Sequence, residues 1–214
     1  MTELLFIRHG ETDWNRQLRF QGQIDVPLNA TGVAQAARLA VRLAAERFDA
    51  FFTSDLGRAR ETAAPLASAW GQQPVVVPGL REQSFGTWEG LDVPTIKQRH
   101  GAQWQDWLQH HGDFALPGGE SLRQFHARVL MSVRDIAAHA TGQRLAIVTH
   151  GGVLDMLWRT AHGLPLDGLR VCDIPNTGLN RLRWKDGTLH IESWADDAHL
   201  AGMPPQPSTV AGER

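Results

Sequence analysis

Short runs of apolar residues recur along the chain, and each is bounded by polar or turn-forming residues. The first run, residues 4–7, stops at Arg8-His9-Gly10, and the last run, residues 145–148, stops at Thr149-His150-Gly151. Short continuous apolar runs with turn residues at their ends are typical of buried strands. We therefore predict strands at residues 4–7, 48–53, 75–77 and 145–148.

The segments between these runs carry alanine and leucine at helical spacing. In residues 31–46 the apolar side chains recur three and four positions apart, and Thr31 stands where an N-cap belongs. Ser121 and Gln124 form a Ser-x-x-Gln capping box, which marks the start of a long helix. We predict helices at residues 31–46, 57–70, 121–139 and from about 153, with short helices and loops at 94–111.

The alternation of strands and helices predicts an α/β fold, a three-layer α/β/α sandwich around a mostly parallel central sheet. Residues 180–184 and 188–194 add a hairpin that turns on Asp186-Gly187. A chain of 214 residues suits one domain, which we place at residues 1–200. The segment 201–214 is rich in proline and polar residues, and we expect a flexible C-terminal tail there.

Composition narrows the possible functions. The net charge is -2, whereas a general nucleic-acid-binding or membrane-surface protein would carry a clear basic excess. No apolar stretch approaches the roughly 20 residues that span a bilayer, and the N-terminus lacks the features of a signal peptide. Cys172 is the only cysteine, so no intrachain disulfide can form. We therefore expect a cytoplasmic protein without nucleic-acid or membrane partners.

Two of the predicted strands end in a His-Gly pair. The carboxyl ends of parallel strands meet at one edge of a sheet, where ligands bind, so His9 and His150 converge if their strands are neighbours. A neutral imidazole is a good nucleophile near pH 7. The guanidinium of Arg8 offers paired donors that match phosphate oxygens. The pattern predicts phosphoryl chemistry at this edge.

Two further segments supply polar groups suited to an anion site. Either Ser54 or Asp55 is predicted to cap the helix at 57–70, which places Arg58 in its first turn, where free N–H groups favour an anion. A carboxyl that faces a phosphate dianion is pushed towards its protonated form. Glu82 could then donate a proton to the leaving oxygen and afterwards accept one from water. Glu89 is a competing candidate for that role.

Five motifs occur in order along the chain: Arg8-His9-Gly10-Glu11-Thr12 with Asn15, Ser54-x-Leu56-x-Arg58-Ala59-x-x-Thr62, Leu80-x-Glu82-x-x-Phe85-Gly86-x-Trp88-Glu89-Gly90, Pro117-Gly118-Gly119-Glu120-Ser121 and Val148-Thr149-His150-Gly151-Gly152. Together they resemble the histidine phosphatase superfamily, in the branch that contains cofactor-dependent phosphoglycerate mutases, the fructose-2,6-bisphosphatase domain and alpha-ribazole phosphatases. The resemblance covers residues 3 to about 160. It implies a phosphoglycerate mutase-like fold and a single histidine phosphatase domain at residues 1–200.

The resemblance also implies a role for each matching position. His9 would be the nucleophile that becomes phosphorylated, and Glu82 would be the proton donor. The phosphoryl oxygens would be held by Arg8, Arg58 and a protonated His150, and these three cations leave no need for a metal. The further substrate-binding positions would be Asn15, Gln21, Gly22 and the backbone N–H of Gly151, although mutases carry a small hydroxyl residue before the glycine where Gln21 stands.

The fate of the phosphohistidine separates two activities. A phosphatase admits water, whereas a mutase excludes water and returns the phosphoryl group to the substrate, with 2,3-bisphosphoglycerate as cofactor. The resemblance implies that mutases of this family are longer chains with an insertion after the glutamate motif. In this chain only residues 83–116 separate Glu82 from Pro117. We therefore favour a phosphatase without a cofactor. The mutase is the alternative, and a non-catalytic module that binds phospho-ligands is a remote one.

Substrate identity is expected to lie in residues 92–116, which could form a lid or wall over the phosphate. Trp104, Trp107 and Leu108 make an apolar helical stripe there, which indicates core packing or an aromatic wall for the substrate. The partner is a small-molecule phosphate ester. The sequence leaves open a sugar phosphate, a nucleotide-like phosphate and a phosphoglycerate, and it leaves the oligomeric state open as well.

Overall fold

The structure is a computed structural model that describes residues 1–109, 111–138, 140, 143–168 and 170–207. One six-stranded sheet forms its centre. The strands are β1 (Thr2–Arg8), β2 (Ala50–Thr53), β3 (Val75–Val76), β4 (Arg144–Thr149), β5 (Leu179–Lys185) and β6 (Thr188–Asp196). Their order in the sheet is β3-β2-β4-β1-β5-β6, with β3, β2, β4 and β1 parallel and the β5–β6 hairpin antiparallel.

Seven α-helices accompany the sheet among the described residues. They are α1 (Asp13–Arg16), α2 (Ala30–Leu43), α3 (Gly57–Trp70), α4 (Val93–Arg99), α5 (Gly101–Leu108), α6 (Leu122–Ala138) and α7 (Gly151–His162). The short helices α4 and α5 lie where the sequence predicts them. The predicted end of α6 at residue 139 falls outside the described residues.

The central strands bury both faces because successive side chains point to opposite sides of a strand. On β1, Leu4 and Phe6 pack against α6 and α7, whereas Leu5 and Ile7 pack against α2 and α3. The helices α2 and α3 therefore cover one face, and α6 and α7 cover the other. The predicted three-layer α/β/α sandwich with a mostly parallel sheet is confirmed.

Two local predictions are confirmed at the ends of elements. Ser121 and Gln124 form the reciprocal capping box, with Ser121 N–H donating to Gln124 Oε1 over 3.0 Å and Gln124 N–H donating to Ser121 Oγ over 3.2 Å. The hairpin turns on Asp186 and Gly187, whose φ angles are 51° and 80°. Both residue types tolerate the left-handed conformation that a tight hairpin turn requires.

Two helix starts differ from the prediction. The N-cap of α2 is Asn29, whose side chain accepts from Gly32 N–H, so the assignment of Thr31 as the cap was wrong. Thr31 lies inside the first turn, and the amide oxygen of Asn29 reaches the N3 position. The last helix, α7, starts at Gly151 and not near residue 153, because the strand β4 passes into it through His150 alone.

A third apolar cluster lies apart from the two faces of the sheet. Trp88, Ile96, Trp104 and Leu116 form its buried part, and Trp107 packs against it. The rings of Trp104 and Trp107 stack with centroids 5.2 Å apart, while Leu108 is exposed. Core packing therefore explains the first two members of the predicted stripe.

The beginning of the predicted C-terminal tail contacts the domain. Arg38 donates to the carbonyl of Ala201 over 2.8 Å, Arg16 donates to the carbonyl of Pro205 over 3.1 Å, and Gln206 Oε1 accepts from the N–H of Asn176 over 2.6 Å. Residues 208–214 lie outside the described residues, so flexibility there stays a prediction. None of the described helices is long and apolar enough to cross a membrane.

Candidate active site

The carboxyl ends of β1 and β4 place the two histidines side by side. The strands are parallel neighbours in which Arg8 pairs with Thr149, and His9 and His150 are the next residues of each strand. Their ring centroids are 5.2 Å apart, and both side chains are buried. The predicted convergence of the two His-Gly strand ends is confirmed.

The ring of His9 is fixed through one nitrogen. Nδ1 lies 2.7 Å from the carbonyl oxygen of Gly10, which is only an acceptor, so Nδ1 carries the proton and Nε2 keeps its lone pair. The main chain of His9 is held too, because its carbonyl accepts from Asn176 Nδ2 over 2.8 Å. Burial, with the charges of Arg58 and Arg8, lowers the pKa of His9 well below its ordinary value. The ring is therefore a neutral nucleophile at neutral pH.

Arg8 and Arg58 are buried cations that backbone carbonyls hold in place. Arg8 Nη1 donates to the carbonyl of Ile174 over 2.5 Å. Arg58 Nη1 and Nη2 donate to the carbonyls of Ile24 and Gly22 over 2.9 and 2.8 Å. Arg58 Nε is buried with no hydrogen-bond partner among the described residues. The two guanidinium groups thus bring positive charge to the histidines, and Arg58 Nε remains available as a donor.

The start of α3 is capped from a different part of the chain than predicted. Gly57 N–H donates to Asp25 Oδ1 over 2.6 Å, whereas Asp55 is ion-paired with Arg81 and Ser54 Oγ turns to His150. The prediction that Ser54 or Asp55 caps this helix was wrong, because the Asp25 carboxylate takes that position. Arg58 does lie in the first turn, as predicted, and the residues around Asp25 supply its carbonyl partners.

His150 faces Ser54 on one side. Nε2 lies 2.8 Å from Ser54 Oγ, and Nδ1 is buried without a hydrogen-bond partner among the described residues. Burial, followed by the charges of Arg58, His9 and Arg8, lowers the pKa of His150 well below its ordinary value. Without a bound phosphate, two arginines and burial disfavour a third charge, so the protonated His150 expected from the sequence stays a prediction for the phosphate-bound site. A neutral ring whose Nε2 accepts from Ser54 keeps a proton on Nδ1 for donation.

Glu82 and Glu89 occupy different places. Glu82 Oε2 accepts from the N–H of Gly152 over 2.9 Å, so its carboxylate lies at the start of α7, next to His150. A Cβ at Gly152 would come within 2.0 Å of Glu82 Oε1, so only glycine permits this approach. Glu89 Oε1 instead accepts from the N–H groups of Gln23 and Phe85 over 3.0 Å each, and ties two loops together. The geometry therefore favours Glu82 over Glu89 as the proton donor.

The other predicted binding residues form a network around the first helix. Thr12 caps α1, and Asn15 Oδ1 accepts from Thr12 N–H over 3.1 Å. Gln21 Oε1 accepts from Thr12 Oγ1 over 2.9 Å, so this amide oxygen supports Thr12. Gly22 has a φ of 54° and presents its carbonyl to Arg58, which makes it a support for that arginine. Gly151 is the first residue of α7, where the main-chain N–H groups point outward from the helix.

The residues before β5 complete the site and were missed by the sequence analysis. Asn176 holds the carbonyl of His9, and Thr177 N–H donates to the carbonyl of Arg8 over 3.0 Å. Thr177 adopts a φ of 56°, which is uncommon for a residue other than glycine. The Pro-Asn-Thr-Gly composition of residues 175–178 signals a turn, but no local signal indicates its long-range partner.

The arrangement is a cationic, buried pocket with a nucleophilic nitrogen and a carboxylate. Two guanidinium groups, a neutral imidazole donor and a helix start can bind three phosphoryl oxygens, and Glu82 can move a proton. Within the described parts of the chain, no group of three or more His, Cys, Asp or Glu side chains could hold a metal ion. These groups suit phosphoryl transfer, in which positioning and charge stabilisation do most of the work.

A surface cleft lies beside this pocket. It encloses about 430 Å³, including space open to solvent, between Gln83–Phe85, which follow Glu82, and a wall that includes Trp107, Phe114 and Leu116. Part of the segment 92–116 therefore lines a cleft next to Glu82, in addition to packing the third apolar cluster.

Comparison with known families and proteins identifies the family of this chain. The model of the histidine phosphatase superfamily (branch 1) matches residues 4–197. A metal-independent phosphoserine phosphatase from Arabidopsis thaliana is 34% identical over 95% of this chain and 85% of its own length. A probable phosphoglycerate mutase, GpmB, from Enterobacter sp. (strain 638) is 31% identical over 94% of this chain and 95% of its own.

Two solved structures superpose on this chain over most of its length. YhfR from Bacillus stearothermophilus superposes with a TM-score of 0.83 at 32% identity, over 94% of this chain and 100% of its own. A phosphoserine phosphatase mutant from Entamoeba histolytica, solved in complex with phosphoserine, superposes with a TM-score of 0.80 at 25% identity, over 94% and 100% of the two chains.

Proposed function

The chain belongs to the histidine phosphatase superfamily (branch 1). On this premise we propose that it is a phosphatase of small phosphate esters that works through a phosphohistidine on His9. One observation carries the proposal. The Nδ1 atom of His9 is bound to the carbonyl of Gly10, which leaves the lone pair on Nε2, beside Arg8 and Arg58. A neutral imidazole in a cationic, buried pocket is an activated nucleophile for a phosphate ester.

In the first half-reaction the phosphate lies among Arg8, Arg58, Nδ1–H of His150 and the N–H of Gly151. Nε2 of His9 attacks phosphorus in line with the ester oxygen, so that the P–N bond forms as the P–O bond breaks. Charge spreads over the three equatorial oxygens, where the cationic donors stabilise it. Glu82, protonated in the presence of the dianion, gives its proton to the leaving alcohol.

In the second half-reaction water takes the place of the alcohol. Glu82, now a carboxylate, accepts a proton from this water as its oxygen attacks phosphorus. The P–N bond breaks, inorganic phosphate leaves, and His9 returns to its neutral state. No metal or other cofactor takes part in either half of this scheme.

We further propose that the substrate is a phosphate ester of a small organic molecule, in line with the phosphoserine bound by the Entamoeba protein. The probable mutase among the relatives keeps phosphoglycerate mutase as the second candidate. That activity would need 2,3-bisphosphoglycerate. The cytoplasmic location expected from the sequence stays a prediction.

Two assays test the proposed function. Release of p-nitrophenol from p-nitrophenyl phosphate in EDTA by the native protein, lost in His9→Ala, supports a metal-independent phosphohistidine route. Equal release by His9→Ala would rule out His9 as the nucleophile, and no release by the native protein would favour a module that only binds phospho-ligands. In the second assay, 3-phosphoglycerate is supplied with a trace of 2,3-bisphosphoglycerate. Rapid appearance of the 2-isomer without phosphate release would identify a mutase.

A further inference from the structure

Arg170 is a third guanidinium group beside the pocket, and neither the sequence motifs nor the proposed mechanism uses it. A Cβ placed on Gly151 would lie 3.7 Å from Arg170 Nη1 and 3.4 Å from Arg8 Nε. The two arginines therefore flank the residue that follows His150. Since Arg8 faces the histidines, Arg170 lies at the outer side of the same anion site.

Among the described residues, Arg170 has one long ion pair and no hydrogen bond at its Nε atom. Its nearest carboxylate oxygen is Asp155 Oδ1, which is 3.9 Å from Arg170 Nε and so beyond hydrogen-bond distance. Asp155 is already paired with Arg159, whose Nε lies 3.2 Å from Oδ2. Arg170 Nε is buried and has no hydrogen-bond partner among the described residues. A half-buried cation beside another cation is stabilised when an anion binds between or next to them.

Arg58 and Arg170 differ in the exposed fraction of their side chains. Arg58 is fully buried, whereas the side chain of Arg170 keeps 24% of its surface exposed. The inner groups, Arg58 and His150, surround the position of the transferred phosphoryl group. Arg170, which lies beside Gly151, is therefore nearer to solvent than Arg58. A partly exposed guanidinium fork beside a phosphate site suits a second anionic group of the same ligand.

We propose that Arg170 binds a carboxylate of the substrate, so that the preferred substrate is the phosphate ester of a small carboxylic acid. This inference rests on the proposed phosphatase function and adds a specificity residue to it. The carboxylate binds through paired hydrogen bonds to the guanidinium fork, while the phosphoryl group of the same molecule lies against Arg8, Arg58 and His150. An ester of equal size without a carboxylate leaves Arg170 unpaired.

The test compares two esters that differ only at this group, 3-phosphoglycerate and glycerol 3-phosphate. The native protein is expected to favour 3-phosphoglycerate in kcat/KM. Arg170→Gln is expected to lower kcat/KM for 3-phosphoglycerate by roughly 10- to 100-fold, mainly through KM, because a hydrogen bond to a charged group is worth that much. The value for glycerol 3-phosphate changes by less than about threefold, since no bond to that ester is lost.

Two control variants accompany the test. Arg170→Lys keeps the charge without the fork and is expected to lie between the native protein and Arg170→Gln for 3-phosphoglycerate. Arg134→Gln removes an exposed cation on α6 and is expected to leave both esters unchanged. Circular dichroism spectra and melting temperatures close to the native values show that each variant is folded.

Different results would contradict this inference or the proposed function. Equal losses on both esters would mean that Arg170 serves the phosphoryl group or the fold, and no loss on either would mean that it serves neither substrate. A native protein that hydrolyses p-nitrophenyl phosphate but shows no preference for the carboxylate ester would overturn this inference alone. Failure of the native protein on all three esters would overturn the proposed function, and this inference with it.

Discussion

His9 and His150 are two neutral imidazoles, and each has one ring nitrogen engaged by a neighbour. Gly10 holds Nδ1 of His9, and Ser54 lies at Nε2 of His150. Burial and the nearby arginines keep both rings uncharged, since desolvation and like charges disfavour a further cation. The site therefore assigns one ring to attack through Nε2 and the other to donate through Nδ1.

The two glutamates of the third motif allow a direct test of the proton donor. Glu82→Gln is expected to lower kcat for an alkyl phosphate by about 10² to 10⁴, because general acid–base catalysis contributes that much. The loss should be smaller for p-nitrophenyl phosphate, whose leaving group needs little protonation. Steady-state assays with both esters measure the difference.

Glu89→Gln is the matched control for that comparison. Glu89 holds the N–H groups of Gln23 and Phe85, so its loss should lower the melting temperature without changing the ratio of the two rates. A loss of the same size on both esters in Glu82→Gln would show that Glu82 does not protonate the leaving group.

The sequence predicts the chemistry of single residues well where a polar residue directly follows a predicted strand. Arg8, His9 and His150 follow from apolar runs that stop at polar residues, and the structure places them together. The neutral state of His150 without a bound phosphate did not follow, because it depends on how closely Arg58 and Arg8 approach from other segments. Spacing along a chain does not measure that approach.

At the scale of elements, the start of α3 depends on a loop that is distant in the sequence. Asp25 caps Gly57, and the neighbouring carbonyls of Gly22 and Ile24 orient Arg58. The Pro-Asn-Thr-Gly turn before β5 acts in the same way, since Asn176 fixes the main chain of His9. Both supports join segments far apart in the sequence, and for this reason local capping rules did not identify them.

Asp25→Ala tests whether this cap positions the arginine. The variant is expected to lose about 1 kcal/mol of unfolding free energy, the usual value of a helix cap. It should also raise KM for p-nitrophenyl phosphate, because the loop that orients Arg58 is loosened. Urea denaturation and steady-state kinetics give the two quantities.

Asp92→Ala supplies the control because Asp92 caps α4 through the N–H of Thr95, away from the histidines. It should lose a similar stability and keep the native KM. If Asp25→Ala also keeps the native KM, the cap contributes to stability only.

At the scale of the whole molecule, the buried site couples folding to pH. The pKa values of His9 and His150 lie below the ordinary value of 6.5 in the folded protein. The unfolded chain therefore binds more protons than the folded one once the pH falls below about 6.5. The free energy of unfolding is therefore highest above that pH, and it decreases as the pH falls towards the pKa values of the two histidines in the folded protein.

The expected slope is up to about 1.4 kcal/mol per pH unit for each histidine over that range. Urea midpoints between pH 7.5 and 5, in buffers without phosphate, measure it. His150→Gln should flatten the slope, and His190→Gln, at an exposed position, should leave it unchanged. A native protein whose stability does not fall between pH 6.5 and 5 would contradict the buried neutral rings.

The fold as a whole was the most predictable level. Four apolar runs and the alanine-rich helices between them were enough to predict the layers of the sandwich. The two faces of β1 need separate helices to cover them. The third apolar cluster was less predictable, since the spacing of Trp104 and Trp107 favoured core packing without excluding a substrate wall. Trp107 packs in that cluster and also lines the surface cleft, and a contact with substrate stays a prediction.

In the proposed mechanism, Nε2 of His9 carries the phosphoryl group during turnover. To measure this directly, the protein is mixed with substrate and the intermediate is trapped without an acid quench. Peptide mass spectrometry then locates the phosphoryl group, and ³¹P NMR assigns the ring nitrogen. We predict one phosphoryl group on His9 at Nε2, because Nδ1 is bound to Gly10. A phosphoryl group on Nδ1, on His150 or on no histidine at all would contradict the account.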